Sequence, residues 1–380
     1  MPRLVALDMA AGPSFLTALR RVLDAGEAAL PLDPRMARPA RAEVVTALGP
    51  SAVVGPDGEE RELEGGWPVE PGDALVVATS GTTGAPKGVV LTLDAVASSA
   101  RATSARLGVD PATDRWCSCL PLAHVGGLAV LTRAIVTGTG VEVLPGFDRD
   151  ELVAAARERG ATLTALVPTT LGRMGEAGAA AYRRIVLGGS APPDHVPAHV
   201  AVTYGMTETG SGVVYDGLPL DGVEVRIGER DEIELRGPML LRSYRDGTDP
   251  RRDDGWLPTG DAGRLVEGRL EVHGRLRELI VTGGENVWPE RVESILRVVP
   301  GVREVGVAGA PDPEWGERVV AFVVPDSPAS PPTLEDLRVA VRESLGPWAA
   351  PRELVLAAAL PRTALGKLRR AALGSPSGDR

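Results

Sequence analysis

Residues 79–88 read TSGTTGAPKG and follow directly on the apolar run ALVVA at residues 74–78. Three glycines in this stretch allow positive φ angles and a close approach of the backbone, its hydroxyls add hydrogen-bond donors, and Lys87 adds a positive charge. Together these groups suit a polyphosphate, so we predict a phosphate-binding loop at the end of a buried strand. The stretch is not a Walker A loop, because that motif needs Gly-Lys-Ser/Thr and Lys87 stands between Pro86 and Gly88.

Strand-like and helix-like segments alternate on the C-terminal side of this loop. The helix-like segments are LAVLTRAIV (residues 128–136) and ELVAAARERG (151–160), and the strand-like ones are GVEVLPG (140–146), TLTALVPT (162–169) and RRIVLGGS (183–190). This alternation predicts a large N-terminal layered α/β domain with a largely parallel sheet. From about residue 221 the segments become short and alternating with tight turns, DGVEVRIGERDEIELRG and GRLVEGRLEVHGR, which predicts an antiparallel β subdomain.

A new unit begins after Arg275. ENVWPERVESILRVVPGV (285–302) is typical of a helix with Pro289 near its start, and TLEDLRVAVRESLG (333–346) of an amphipathic helix capped by Thr333. REVGVAGAPD and RVVAFVVP have the composition of strands. We therefore expect an N-terminal domain at residues 1–274, a hinge at 275–277, and a small, mobile C-terminal α+β domain at 278–380.

Composition and charge exclude several classes of protein. A chain of 380 residues with 43% hydrophobic residues fits a globular protein of two or more domains. No apolar run reaches the roughly 20 residues that span a bilayer, and the N-terminus lacks the apolar core of a signal peptide, so we expect a cytoplasmic protein without a membrane span. The net charge of −10 argues against a nucleic-acid partner.

The cysteines and histidines do not have the spacing of a metal site. Cys117 and Cys119 stand two residues apart with no second cluster, so we expect free buried thiols and no zinc. His195 and His199 are four residues apart, as on one face of a helix, but Pro197 lies between them. We therefore interpret both histidines as loop residues.

The stretch TSGTTGAPKG resembles the phosphate-binding signature of the adenylate-forming superfamily, which includes acyl-CoA synthetases, adenylation domains of nonribosomal peptide synthetases, and luciferases. Further segments resemble the later motifs of that superfamily and occur in the same order: LPLAHVGG (120–127), LGGSAPP (187–193), TYGMTETG (203–210), PTGD (258–261), GRLRELIVTGGENVWP (274–289) and PRTALGKLRR (361–370). The resemblance covers residues 70–370 and implies an enzyme that activates a carboxylic acid by adenylating it.

The resemblance implies an ATP site built from several segments. Tyr204 takes the position of the aromatic ring that stacks on adenine, and Asp261 and Arg275 take the ribose-binding positions. The ATP-binding residues implied in this way are Thr79, Ser80, Gly81, Thr82, Thr83, Gly84, Lys87, Gly188, Gly189, Ser190, Tyr204, Gly205, Met206, Asp261 and Arg275.

The same resemblance implies the catalytic groups. Glu208, with Thr79 nearby, would bind Mg²⁺, and Thr207 would lie near the α-phosphate. Lys367 would bridge the attacking carboxylate and the α-phosphate. The acyl pocket implied by the resemblance consists of His124, Gly189, Ser190, Ser211 and Gly212. The coenzyme A side and the hinge consist of Arg277, Thr282, Gly283 and Gly284, and the superfamily usually has Asp or Lys where this chain has Arg277.

Two further features narrow the acid. The region before the phosphate loop is shorter than is usual in the superfamily, and TYGMTETGSGVVYDGLPLDGVEVRI (203–227) resembles the corresponding stretch of actinobacterial o-succinylbenzoate–CoA ligases of menaquinone biosynthesis. This resemblance implies that ATP and the acid give an acyl adenylate and pyrophosphate, after which coenzyme A gives the acyl-CoA and AMP. The expected partners are the small-molecule acid, ATP, Mg²⁺ and coenzyme A, and a homodimer is left open.

Three alternatives stay open at this point. The first is a ligase for another aryl or medium-chain acid. A peptide-synthetase adenylation domain fits less well, because VGGLAVL after His124 offers no acid to hold an α-amino group. A non-catalytic nucleotide-binding protein would not need both Glu208 and Lys367.

Overall fold

The computed structural model describes residues 1–80, 86–193, 195–362 and 368–374, with Ser80 described by its backbone only. The chain folds into two compact units. The described residues of Met1–Arg226, Glu234–Pro258 and Glu267–Leu270 form the first unit, and those of Ile227–Ile233, Thr259–Val266 and Glu271–Arg380 form the second. The division reflects contacts within one structure, which contain no information about motion. The hinge at 275–277 therefore stays a prediction.

The described strands, numbered in chain order, are β1 (Leu4–Leu7), β2 (Ala28–Pro31), β3 (Ala52–Val54), β4 (Glu60–Glu62), β5 (Asp73–Ser80), β6 (Pro86–Thr92), β7 (Arg115–Ser118), β8 (Gly140–Val143), β9 (Leu163–Leu166), β10 (Arg184–Leu187), β11 (Val200–Gly205), β12 (Gly212–Tyr215), β13 (Leu218–Pro219), β14 (Glu224–Ile227), β15 (Glu232–Arg236), β16 (Ser243–Tyr244), β17 (Leu257–Val266), β18 (Arg269–Arg275), β19 (Ile280–Thr282), β20 (Glu285–Val287), β21 (Val302–Asp312), β22 (Gly316–Pro325) and β23 (Glu353–Leu356). The α-helices are α1 (Pro13–Asp24), α2 (Arg38–Leu48), α3 (Leu93–Leu107), α4 (Val125–Thr137), α5 (Arg149–Glu158), α6 (Pro168–Ala179), α7 (Pro289–Leu296) and α8 (Leu334–Ser344). Every helix in this described part of the chain is too short or too polar to cross a membrane.

Two seven-stranded sheets make up most of the first unit. Their strand orders are β16-β6-β5-β2-β1-β3-β4 and β13-β12-β11-β10-β9-β7-β8. The strands β7 to β11 pair in parallel, as the alternation of strands and helices predicts. β5 and β6 pair antiparallel and form the two sides of the predicted phosphate loop.

Two helices form a layer between these sheets. α3 contacts β5 and β6 of the first sheet, α4 contacts β7, β8 and β9 of the second, and the two helices pack on each other. α4 reads VGGLAVLTRAIVT and is apolar around most of its circumference, so it is buried from Gly127 to Ala134. The predicted layered α/β fold is confirmed by this arrangement.

The later part of the chain forms two further sheets. The four-stranded sheet β14-β15-β17-β18 contributes residues to both units, and the five-stranded sheet of the second unit has the order β20-β19-β22-β21 with β23 also on β22. Side chains of β22 alternate, so that Val319, Ala321 and Val323 join one apolar cluster while Val320, Phe322 and Val324 join another. α7 and α8 cover the first of these faces. The predicted cap of α8 is confirmed, since Thr333 Oγ1 accepts a hydrogen bond from Asp336 N.

Candidate active site

The two strands that flank the phosphate loop bring Thr79 and Lys87 together. Thr79 pairs with Lys87 across the β5–β6 hairpin, and its Oγ1 donates a hydrogen bond to the Lys87 carbonyl oxygen at 3.4 Å. The predicted phosphate-binding residues Gly81, Thr82, Thr83 and Gly84 lie outside the described residues. The hairpin therefore fixes the two ends of the loop, one carrying a hydroxyl and the other an ammonium group.

Tyr244 connects the phosphate loop with the predicted magnesium ligand. The Lys87 ammonium nitrogen lies 5.0 Å from the centre of the Tyr244 ring, a cation–π contact. The Tyr244 hydroxyl donates a hydrogen bond of 2.9 Å to Glu208 Oε1. Burial and the Glu208 carboxylate both raise the pKa of Tyr244, so its phenol stays protonated and remains a donor.

Local backbone contacts explain why these three side chains meet. Tyr244 lies on β16, which pairs with β6 so that Tyr244 stands opposite Val89. Glu208 belongs to a short 3-10 turn, Thr207–Thr209, that follows β11. Leu241 N donates to the Glu208 carbonyl at 2.7 Å, which ties this turn to the segment that leads into β16. The predicted α-phosphate contact Thr207 opens the same turn.

Glycines around Thr203 permit close packing at the ends of β10 and β11. A Cβ atom on Gly188 would lie 2.7 Å from Thr203 Oγ1, and one on Gly212 would lie 2.7 Å from Thr203 Cβ. A Cβ atom on Gly205 would lie 2.2 Å from the Ser211 carbonyl oxygen. These glycines are therefore needed for packing of the chain itself, in addition to any approach of a nucleotide.

The remaining residues of this predicted nucleotide segment border those glycines. Gly189 has a positive φ of 87°, and Ser190 is exposed beside it. Tyr204 and Met206 are half-buried, on either side of Gly205. The structure thus brings the Gly188-Gly189-Ser190 loop and the Tyr204-Gly205-Met206 segment together at the carboxyl ends of neighbouring parallel strands, which is where ligands of open α/β sheets bind.

His124 stands at the N-terminal end of α4. The pKa of the nearby Asp33 is lowered, chiefly by hydrogen bonds from Arg35 and in smaller part by the charge of His124. Ser211 Oγ forms a buried hydrogen bond of 2.8 Å with Ser99 Oγ. A small cavity lies between α3 and α4 at this point, and its lining consists of Leu75, Val96, Ser99, Val125, Leu128, Ala129, Thr132 and Gly210. The lining includes Val125 and Gly210, which are the chain neighbours of the predicted acyl-pocket residues His124 and Ser211, and the cavity has room for about one water molecule.

Asp261 and Arg275 form a pair within the second unit. Arg275 Nε lies 2.8 Å from Asp261 Oδ1, and Arg275 Nη1 donates to the Thr259 carbonyl at 3.3 Å. Asp261 is 7% exposed, and its N–H donates to Thr259 Oγ1 at 3.1 Å. The ion pair holds the Asp261 carboxylate in one orientation.

The predicted coenzyme A side also lies in the second unit. Gly283 and Gly284 have φ angles of 59° and 85°, and a Cβ atom on Gly283 would lie 2.5 Å from the Trp315 ring. The Arg352 guanidinium carbon lies 4.2 Å from the centre of that ring. Thr282 is buried, and its hydroxyl has no hydrogen-bond partner among the described residues. This face therefore combines a glycine turn with an exposed aromatic–cation pair.

The predicted hinge residue Arg277 lies in a 3-10 turn, Leu276–Glu278, and its side chain is exposed. The predicted catalytic Lys367 lies outside the described residues. The chain on either side of it is described, because Arg362 and Leu368 form an antiparallel bridge.

Comparison with known proteins identifies the family. The model of the AMP-binding enzyme family matches residues 66–244, and the model of the AMP-binding enzyme C-terminal domain matches residues 291–367. A protein of Mycobacterium tuberculosis named probable 2-succinylbenzoate–CoA ligase is 39% identical over 360 residues, which covers 88% of this chain and 93% of that relative. The chain belongs to the AMP-binding enzyme family.

Solved structures of AMP-binding enzymes agree in fold. The o-succinylbenzoate CoA synthetase (MenE) of Bacillus subtilis in complex with the acyl-adenylate intermediate OSB-AMP has a TM-score of 0.85 and 28% identity, over 98% of this chain and 88% of that chain. The same Bacillus subtilis enzyme in complex with ATP and magnesium ion has a TM-score of 0.84 and 28% identity, over 98% of this chain and 89% of that chain. The expected family and fold class are confirmed.

Sequence reasoning missed Tyr244 as a residue of the candidate site, and it did not reveal that the Asp33–Arg35 pair lies near His124. Tyr244 stands in LLRSYRDGT, where an alternating aromatic residue is typical of any strand, and its partner Glu208 lies 36 residues earlier in the chain. Asp33 and Arg35, in PLDPR, carry the pattern of a turn. The nearness of Asp33 to His124 arises only when the sheets are assembled, so a local pattern could not reveal it.

Proposed function

We propose that this chain is an o-succinylbenzoate–CoA ligase that works through an acyl adenylate. The observation that carries the proposal is the Lys87–Tyr244–Glu208 cluster, in a chain that is related over most of its length to 2-succinylbenzoate–CoA ligases. A cation at the phosphate loop, a carboxylate for a metal ion, and a phenol that orients this carboxylate are the groups that adenylation requires.

In the first step a carboxylate oxygen of the acid attacks the α-phosphorus of ATP. A bond forms between that oxygen and phosphorus, the bond from the α-phosphorus to the bridging oxygen breaks, and pyrophosphate leaves with the electron pair. Lys87 and the phosphate loop would hold the departing phosphates, and Lys367 would stand between the two anions that must meet. Asp261 and Arg275 would fix the ribose, and Tyr204 would stack on the adenine.

Magnesium fits the donors of this site. Glu208 is half-buried, and Tyr244 holds one of its carboxylate oxygens in place, while the Thr79 hydroxyl stands at the start of the phosphate loop. Carboxylate and hydroxyl oxygens are the ligands that Mg²⁺ prefers. When bound, the ion would offset charge on the phosphates of ATP.

In the second step the sulfur of coenzyme A attacks the acyl carbon. A carbon–sulfur bond forms, the bond between the acyl carbon and the AMP oxygen breaks, and the thiol proton passes to solvent. The small domain would rotate about Arg277, which withdraws Lys367 and presents the Thr282-Gly283-Gly284 face. The positive φ angles of Gly283 and Gly284 support a close approach of pantetheine to the backbone there.

The residues after His124 support an acid without an amino group. The segment VGGLAVL (125–131) carries no acidic side chain. An α-amino group bound beside it would lack a charged partner, which disfavours an amino acid. His124 and Ser211 would face the ring and the second carboxylate of o-succinylbenzoate. Because ATP and coenzyme A are cytoplasmic compounds, we infer that the reaction takes place in the cytoplasm.

Pyrophosphate release with a panel of acids tests the substrate. We expect o-succinylbenzoate to stimulate release well above benzoate and short fatty acids. Equal rates with all of these acids would contradict the substrate assignment and favour a ligase for a different acid. No release with any acid would favour a non-catalytic member of the family.

Separate assays of the two half-reactions test the role of Lys367. The Lys367→Ala variant should lose formation of the acyl adenylate and keep thioester formation from supplied acyl adenylate. If both half-reactions survive, the role of Lys367 is wrong.

A further inference from the structure

Arg370 is a nearly buried arginine only three residues beyond Lys367. Its side chain is 11% exposed, and it belongs to a short 3-10 turn, Arg370–Ala372, rather than to a helix or a strand. An arginine is rarely buried unless its donors are satisfied. The contacts of this side chain therefore help to hold the turn in place, together with the apolar packing of Leu368 and Leu373.

Three carboxylates and one backbone carbonyl surround the Arg370 guanidinium. Nε donates to Glu278 Oε2 at 2.9 Å, and Nη2 donates to Glu290 Oε1 at 3.1 Å. Nη1 donates to the Val307 carbonyl at 2.8 Å and to Glu293 Oε1. Hydrogen bonds of a guanidinium to carboxylates are charge-assisted and directional. Glu278, Glu290 and Glu293, the carboxylate cage, therefore fix both the position and the orientation of Arg370.

The cage joins three elements of the second unit. Glu278 directly follows the hinge residue Arg277, Glu290 and Glu293 lie on α7, and Val307 lies on β21. Glu293 Oε1 also accepts a hydrogen bond of 2.8 Å from Val307 N. The N–H and the carbonyl of Val307 thus both bond to side chains, so neither group is left to pair with a further strand at this edge of the sheet. Arg370 links the hinge, a helix and a strand.

The chain on the other side of residues 363–367 is held to the same strand. Arg362 forms the bridge with Leu368 and an ion pair of 2.6 Å with Glu304 of β21. Leu368 packs against the apolar cluster on the face of the sheet that includes Phe322. Arg362 and Leu368 are therefore both held to the sheet that contains β21.

We propose that Arg370 is a positioning residue for Lys367, which it holds in register with the hinge through the carboxylate cage. Three peptide units separate the two residues, so their Cα atoms are never more than about 11 Å apart. Fixing Arg370 restricts the positions that the lysine reaches and favours the one in which it meets the α-phosphate. The proposal rests on the proposed function, because it requires Lys367 to act in adenylation.

The charges around the cage explain why an arginine is needed there. Three carboxylates face one central guanidinium, and the cations that face them from outside, Arg277 and Arg297, are exposed and lie 3.9 and 3.5 Å from their carboxylate partners. A lysine in place of Arg370 would keep the charge but would lose the planar fork that reaches several acceptors at once. The Arg370→Lys variant therefore separates orientation from charge.

Half-reaction assays on the full chain test the proposal. We expect Arg370→Lys to slow acid-dependent ATP–pyrophosphate exchange by roughly 10- to 100-fold, the range expected for a displaced catalytic group. Thioester formation from supplied acyl adenylate should stay near the wild-type rate, because Lys367 is withdrawn in that step. Glu278→Gln should give a smaller loss in the same direction. Arg369→Ala is the matched control, since Arg369 is the exposed neighbouring arginine, and it should leave both rates unchanged.

Chemical labelling of amines gives a second readout that does not depend on rate. The chain contains only two lysines, Lys87 and Lys367, so one peptide reports on each. In the wild type, MgATP together with o-succinylbenzoate should protect both lysines from an amine-reactive reagent. In Arg370→Gln, which adds no further amine, the protection of Lys87 should persist, whereas that of Lys367 should be lost.

Several outcomes would overturn the proposal. Arg370 is a merely structural residue in any of three cases. The first is an equal loss in both half-reactions, and the second is wild-type exchange in a folded Arg370→Lys chain. The third is unchanged protection of Lys367. Thermal unfolding of every variant identifies a chain that fails to fold, in which case Glu278→Gln decides. Lys367→Ala separates this proposal from the proposed function. If that variant keeps adenylation, the role of the lysine fails, and if it loses adenylation while Arg370→Lys does not, only the role of Arg370 fails.

Discussion

Replacing Tyr244 by phenylalanine should weaken the magnesium-dependent half-reaction while leaving the phosphate-loop lysine in place. The phenylalanine keeps an aromatic face under the Lys87 ammonium, which lies 5.0 Å from the ring centre. The substitution removes only the hydroxyl that donates to Glu208 Oε1 at 2.9 Å. The carboxylate then loses the group that holds it in one orientation, and it must be ordered when Mg²⁺ binds.

The size of the effect follows from the type of bond. A hydrogen bond from a neutral donor to a charged acceptor contributes about 1.5–3 kcal/mol, which corresponds to roughly 10- to 100-fold in affinity or rate. We therefore expect Tyr244→Phe to raise the Mg²⁺ concentration for half-maximal ATP–pyrophosphate exchange by about tenfold or more. Tyr244→Leu should lose a further ~0.5–2 kcal/mol, because the cation–π contact to Lys87 disappears as well.

Tyr215→Phe is the matched control for this experiment. The Tyr215 hydroxyl is also part of a buried hydrogen bond, of 3.2 Å to Thr103 Oγ1, but its partner is neutral and is not a predicted metal ligand. This variant should lower the free energy of unfolding and leave the Mg²⁺ dependence unchanged. The reasoning is refuted if Tyr244→Phe has the Mg²⁺ dependence of the wild type, or if both variants shift it equally.

Three further perturbations follow from burial and close packing. Burial raises the pKa of Glu290 to about 6. Between pH 4.5 and 6 the folded chain therefore retains the Glu290 proton while the unfolded chain loses it. The free energy of unfolding should fall by up to about 2 kcal/mol as the pH rises through this range. Urea unfolding of Glu290→Gln should lack this slope, and an unchanged slope would contradict the assignment. Burial raises the pKa of Cys117 to about 11 and of Cys119 to about 12. A thiol reagent at pH 8 should therefore label both cysteines only after denaturation. Rapid labelling of the native chain would contradict their burial. Gly283→Ala should slow thioester formation more than adenylation, because the new methyl group would meet the Trp315 ring, and equal slowing of the two steps would count against the coenzyme A face.

The sequence predicts the parts of the fold whose pattern is long enough to be decisive. The alternation from α4 to β10 and the cap of α8 follow from periodicity and from Thr333. The strands β1 and β2 at the start of the chain were not predicted, because LVAL and AALP are four-residue apolar runs that fit a buried helix as well as a strand. Only pairing with one another and with β5 makes them strands.

The candidate site shows the same limit in side chains. Motif order predicts that Asp261 and Arg275 serve one nucleotide, but it does not reveal the 2.8 Å ion pair between them. Tyr244 was missed because its role depends on two partners, Lys87 and Glu208, that lie on different strands and turns. Residues that act through a partner distant in the chain have no local signature, whereas residues that touch a ligand in a fixed motif do.

The distribution of lysine and arginine supports the assigned roles independently of any resemblance. Of 41 basic side chains, only Lys87 and Lys367 are lysines. The arginines serve static partners through their planar fork, as in the paired hydrogen bonds of Arg236 with Glu224. An ammonium group is instead a compact charge on a flexible stem with rotatable donors, which suits a phosphate whose bonds and geometry change during a reaction. All the remaining basic side chains are arginines. Lysine is kept only within the phosphate loop and within PRTALGKLRR, where a fixed fork would be a disadvantage. This contrast also explains the two residue types at the end of PRTALGKLRR. Arg370 keeps fixed partners in the carboxylate cage and is an arginine, whereas Lys367, three residues earlier, is a lysine.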